Sequence, residues 1–174
     1  MVVGAYYDGL YKFALALHIV CAVIGFGAVA LNGLYAQQIK ARLQSGRVAE
    51  ALAIHEANMK VSQIGEYFIY AVFVLGFAVL GLSDSVFKFS QSWVWISVIL
   101  FIIGIGLSHG IMYPGAKRLR VLMEEMVSGP PPAGGPPPQV AEIQTIGQRM
   151  GTVGPILDVI LVVIIFLMVW KPGA

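Results

Sequence analysis

The amino-acid sequence predicts an all-α fold of the integral membrane class: a four-helix bundle crossing the bilayer, with both the N- and the C-terminus extracytoplasmic. Three observations carry this expectation. Of 174 residues, 58% are hydrophobic and only 11% are charged, with a mean hydropathy of +0.82; a soluble domain is about half apolar and about a quarter charged. Four segments reach the length of about 20 apolar residues that a helix needs to cross the hydrocarbon core. The connections between them alternate in basic charge, which is the pattern that sets orientation.

The spans fall at roughly Leu10–Tyr35, Ile64–Leu82, Trp93–Tyr113 and Thr152–Trp170, in a chain of single-domain length. The first has no cationic segment before it and far exceeds the h-region of a secretory signal, so it reads as a retained span. The connection 36–61 carries Lys40, Arg42, Arg47 and Lys60. Ile39, Leu43, Val48, Leu52 and Ile54 recur there at helical spacing, which predicts a helical extension outside the membrane, broken near Ser45–Gly46. A short turn, Ser83–Ser92, follows the second span. The connection 114–151 carries Lys117, Arg118, Arg120 and Arg149, and its Pro/Gly-rich stretch 129–138 is expected to run as an extended, solvated loop.

Each long connection therefore holds four basic residues, while Lys12, Lys88 and Lys171 are all that the other side holds. Lys and Arg are retained in the cytoplasm, so the long connections are placed inside. The aromatic residues agree. Tyr6, Tyr7, Tyr11, Trp93, Trp95 and Trp170 gather at the outer interface, and Tyr35, Tyr67, Tyr70 and Tyr113 nearer the inner one, as expected of a structural belt. Gly25, Gly27, Ala28 and Ala30 on the first span, and Gly104, Gly106, Ser108 and Gly110 on the third, mark expected helix contacts. Cys21 reads as a small buried hydrophobe. A net charge of +2 is too small to imply a nucleic-acid partner.

An ionisable group inside a span costs several kcal/mol, about 2.5–3.5 even on insertion scales, so each one demands a reason. Four residues qualify: His18, Glu66, His109 and Asp158. At a rise of about 1.5 Å per residue, His109 and Asp158 both lie roughly 6–9 Å from the inner edge. Glu66 is close to that edge, so the three are candidates for a buried polar or proton-responsive cluster. His18 belongs to the outer half, some 25 Å above the inner edge. A haem held by His18 and His109 together is disfavoured, because axial ligands to one iron share a level and these two differ by more than about 10 Å. His18 with a ligand of another kind, or with a histidine supplied by a second subunit, remains open. His55, in the first connection, reads as a solvated side chain. No nucleophile elbow, phosphate loop, zinc spacing or dinucleotide fingerprint is present.

Leu17-His18-Ile19 followed by Gly25-Phe26-Gly27 resembles the opening helix of a bacterial family of predicted integral membrane proteins, domain of unknown function 2269. The last span, closing on Leu167-Met168-Val169-Trp170-Lys171-Pro172-Gly173, resembles that family's ending. The order of four spans fits as well, so the resemblance covers most of the chain and implies a multi-pass protein of the bacterial cytoplasmic membrane. More distantly, a histidine in the first helix is similar to four-helix membrane haem proteins and copper-resistance membrane proteins, although their Trp-x-Gly step is replaced here by Gly25-Phe26.

Three functional readings follow. The first is a non-enzymatic accessory or assembly subunit of a larger membrane complex, its partners being lipid and other membrane subunits or further copies of itself. The second is a haem or tetrapyrrole protein using His18. The third is a proton-coupled transporter using His109 and Asp158, in which the inverted repeats common among transporters are not evident.

Overall fold

The computed structural model describes residues 9–84, 86–129, 135 and 137–173, and all regular structure among them is helical. The elements are α1 (Gly9–Ala30), α2 (Asn32–Gln44), α3 (Val48–Gly81), α4 (Ser92–Leu107), a π-helical turn (Ser108–Met112), α5 (Tyr113–Ser128) and α6 (Pro138–Trp170). They make four stretches long and apolar enough to cross a membrane: Gly9–Gln44, Val48–Gly81, Ser92–Ser128 and Pro138–Trp170. The four expected spans fall on them, the second running one residue past Gly81 to Leu82. Each helical stretch also continues beyond its apolar run, so the connections 36–61 and 114–151 are themselves largely helical. Tyr6 and Tyr7, and most of the Pro/Gly-rich stretch (130–134 and 136), lie outside the described residues.

Local chemistry sets the ends. Helix α2 stops where Gly46 takes φ +74°, a left-handed conformation that glycine adopts without steric cost. The Ser45 hydroxyl donates back to the Ala41 and Arg42 carbonyls. Between α3 and α4 the Ser83 hydroxyl donates to the Leu80 carbonyl (2.7 Å) and accepts from the Phe87 N–H (3.1 Å), closing the turn. The π turn precedes Pro114, which lies in the first turn of α5. Proline lacks an N–H and crowds the carbonyl four residues back. One extra residue in the turn relieves that clash, and the Tyr113 N–H bonds the Ser108 carbonyl instead.

The chain forms two compact units: 1–30 with 62–102 and 160–174, and 31–61 with 103–159. In the first, α1 and α3 meet along a seam of small residues. Ala14, Cys21 and Gly25 are buried on α1, and Gly65 and Val72 on α3. A Cβ added at Gly65 would stand 2.6 Å from the Ala28 Cβ, and one added at Gly25 would stand 3.1 Å from the Ile69 backbone nitrogen. The paired positions rise along α1 as they fall along α3, so the two helices run antiparallel. Lipid supplies no hydrophobic drive for helix association, so this close van der Waals contact is what holds the pair. Cys21 is the buried small side chain expected.

At the end of this unit that holds the α3–α4 turn, Leu80, Trp93 and Val94 form a cluster with Phe87, Leu167 and Met168. Trp93 was expected in the interfacial belt, but it is a core residue. Its ring meets Phe87 edge-on at 5.7 Å, and its indole N–H donates to the Gln91 side chain. Trp95 and Trp170 are exposed, as a belt requires.

The second unit holds the polar helical extensions. Ala51, Leu122 and Met123 are fully buried. A Cβ on Gly115 would stand 3.0 Å from Met150 Sδ and 3.4 Å from Ile146, so α5 and α6 also approach at a glycine. Arg118 grips Glu142 through both guanidinium arms (2.6 and 2.8 Å). Gly106 and Gly110, read from sequence as contact points, have nothing within 4 Å of an added Cβ. Their spacing permits close packing, but no neighbouring helix uses it within the described chain.

The glycines make a graded test of this packing. Gly65→Ala is expected to lower stability by about 1–3 kcal/mol, the usual range for overpacking. Gly27→Ala, with nothing within 4 Å of the new methyl, should change stability by less than about 0.5 kcal/mol. Unfolding by SDS from mixed micelles, followed by circular dichroism, measures both.

Candidate functional site

Helix α1 places His18 in the seam with α3, three residues before Cys21 and seven before Gly25. Its imidazole lies over Gly76: Cε1 is 3.3 Å and Nδ1 3.7 Å from where a Cβ at that position would be. A methyl at that position would press on the ring more tightly than an ordinary van der Waals contact. Nδ1 is buried and makes no hydrogen bond among the described residues, and the Val72 carbonyl is the polar backbone group that faces the ring. A planar macrocycle ligated by Nδ1 would have to stand where α3 already is. Nδ1 is therefore closed to a haem iron.

Glu66 lies one residue beyond Gly65 on α3, where its carboxylate accepts a hydrogen bond from the Tyr70 hydroxyl one turn further on. His109 lies inside the π turn. Its Nδ1–H donates to the Ile105 carbonyl (3.1 Å), and its ring is tilted over Tyr113 at 6.4 Å. Lys117 sits 4.4 Å above the other end of that row, over the Tyr113 ring. This gives an exposed file of His109, Tyr113 and Lys117 at one-turn intervals.

Asp158 lies on α6, three residues after the helix-interior Pro155, and is exposed. Among the described residues no hydrogen bond or ion pair reaches it. His109 and Asp158, which belong to the same unit, are thus not joined to one another. The His109 imidazole is engaged by its own helix.

The expectation for His55 is overturned. It is only 3% exposed, and its Nε2–H donates to the Ala116 carbonyl at 2.8 Å. Next to it Glu56 pairs with Arg120 (3.2 Å). Two successive residues of α3 thereby clamp α5. The signal lay in spacing: Ala51 and His55 are one turn apart on α3, and the alternating step of four and three continues to Asn58, Ser62 and Gly65. The apolar residues at 48, 52 and 54 lie on another face and compete with that pattern.

Burial depresses the His55 pKa below the ordinary histidine value, outweighing the Ala116 hydrogen bond and Glu56, which favour the cation, while Arg120 opposes it. The neutral ring is therefore the form the clamp requires. The unfolded chain then takes up more protons than the folded one as acidity rises, so stability is lost as the pH is lowered.

Four apolar helical rods with clamped polar extensions define a multi-pass helical membrane protein. The chain belongs to the DUF2269 family of predicted integral membrane proteins, whose family model matches residues 12–172. No curated protein and no solved structure matches it.

Thermal unfolding in detergent should show the His55 contribution intact above the ordinary histidine range near pH 6.5 and progressively lost below it. In His55→Gln, whose amide N–H can still donate to the Ala116 carbonyl, that part of the pH dependence should vanish. His55→Ala should cost about 1–3 kcal/mol at neutral pH, from the lost bond and the cavity together.

Proposed function

We propose that this protein is a non-enzymatic accessory or assembly subunit of a larger membrane complex, seated in the bacterial cytoplasmic membrane with its helical extensions inside and both ends outside. The observation that carries this reading is the construction of the extensions. Helices α3, α5 and α6 run beyond their apolar runs and are cross-braced there by His55–Ala116, Glu56–Arg120 and Arg118–Glu142. Isolated surface ion pairs contribute little to stability. A braced helical platform, by contrast, presents fixed charge and apolar side chains such as Val121 and Val127, both exposed on α5, to a partner.

The polar residues that suggested chemistry support the same reading. His18 fills the space over Gly76, His55 closes a clamp, and Glu66 accepts from Tyr70. Each does structural work. A tetrapyrrole on His18 draws no support from the packing around its Nδ1, and proton-coupled transport draws none from His109 and Asp158, which share no hydrogen bond or ion pair among the described residues.

Isolation in mild detergent from native membranes is the decisive measurement. Co-migration with one or more membrane proteins in fixed ratio is expected, and migration as a lone 18.7 kDa chain would end the proposal. A visible spectrum of the same sample tests the second reading, since a Soret band that disappears in His18→Ala would establish it. For orientation, alkaline phosphatase fused after Ala174 should be active, and the same enzyme inserted into the stretch 129–138 inactive.

A further inference from the structure

The outward face of α6 carries an unusual combination. At about 100° per residue, Gly147, Gly151, Pro155 and Asp158 fall on one narrow face of the helix, and all four are exposed. Added Cβ atoms at Gly147 and Gly151 meet nothing within 4 Å, whereas at Gly25, Gly65 and Gly115 they meet a neighbouring helix. Pro155 lacks the N–H that would make the usual helical bond to the Gly151 carbonyl on the same face. Some 9 Å past Thr152 stands the Asp158 carboxylate, with no hydrogen-bond or ion-pair partner among the described residues.

A carboxylate on the lipid-facing side of a span is rare because hydrocarbon does not solvate it; such groups face a protein neighbour or a water-filled cavity. Charge complementarity names the neighbour. The Lys and Arg residues of this chain lie in the connections or at the outer ends of the spans, at positions 12, 88 and 171. A second copy in the same orientation therefore brings neither lysine nor arginine to the depth of Asp158. His109 is the basic residue nearest that depth, and its Nδ1–H is already given to Ile105.

We infer that this face of α6 docks a transmembrane helix of a different membrane protein, one that carries a lysine or arginine within its span at the level of Asp158. The open glycines admit the partner's backbone closely, and the carboxylate pairs with its cation away from water, where such a pair is strongest. The inference rests on the accessory-subunit reading and identifies the partner's chemistry.

The test compares tagged wild type, Asp158→Asn and Asp158→Glu, each isolated in digitonin from native membranes and analysed by mass spectrometry. Asp158 is exposed and makes no hydrogen bond or ion pair among the described residues, so all three should give the same helical content and detergent elution volume. The expected result is a stoichiometric partner with a Lys or Arg inside a span. Its recovery should fall at least about tenfold in Asp158→Asn, corresponding to about 1.4 kcal/mol, and stay within about twofold in Asp158→Glu. Combining Asp158→Lys with an acidic substitution of the partner's basic residue should restore recovery. If a partner is retained undiminished by Asp158→Asn, or lacks a basic intramembrane residue, the docking proposal fails and the accessory reading stands. Self-association alone overturns the docking proposal as well. Isolation with no partner overturns both.

Discussion

Two helices in lipid gain nothing from hiding apolar surface from each other, because the lipid is as apolar as they are. What brings α1 and α3 together has to be contact at short range, and contact at short range requires that side chains be missing. Gly25 and Gly65 meet that requirement, with the Ala28 methyl seated where a Gly65 side chain would otherwise stand. The rest of the first unit follows. With the backbones this close, a large side chain fits on α1 only opposite another gap, and Gly76 is that gap for His18. Cys21 fills the interval between them as a side chain barely larger than alanine.

The same constraint explains which parts of the structure are legible in the sequence. The four rods are legible because the apolar runs exceed the thickness of the bilayer and nothing else accounts for their length. The break at Ser45–Gly46 is legible because glycine is the residue that turns a helix end. Close approach is only half legible. A glycine states that a neighbour is admissible, and the neighbour itself is a property of the fold, which is why Gly25 is a contact while Gly106 and Gly110 face open space. Gly76 lies among large apolar residues and carries no local pattern that sets it apart. Trp93 misleads for a related reason: its position at a span end fits a belt, and its burial depends on how the Ser83-capped turn folds Phe87 over it.

Histidine illustrates how far residue type underdetermines role. His18 is a space-filling ring in an apolar seam, His55 is a donor that ties one helix to the backbone of another, and His109 turns back on its own helix inside a π turn. Composition treats them alike. Their surroundings differ in the one respect that matters for an imidazole, which is whether an acceptor lies within reach of a ring N–H and on which helix it lies. Asp158 is the opposite case, since it reads from sequence as half of an internal pair and is found facing outward.

The π turn before Pro114 also sets the rotational phase of everything that follows it. One surplus residue in a helix of 3.6 residues per turn rotates the downstream part by about 100° relative to an uninterrupted helix. Helix α5 inherits that offset, and with it the direction in which Leu122 and Met123 enter the core and Arg118 reaches Glu142. The turn thus works as an indexing step. A proline that looks like a local nuisance decides which side of a sixteen-residue helix is inside.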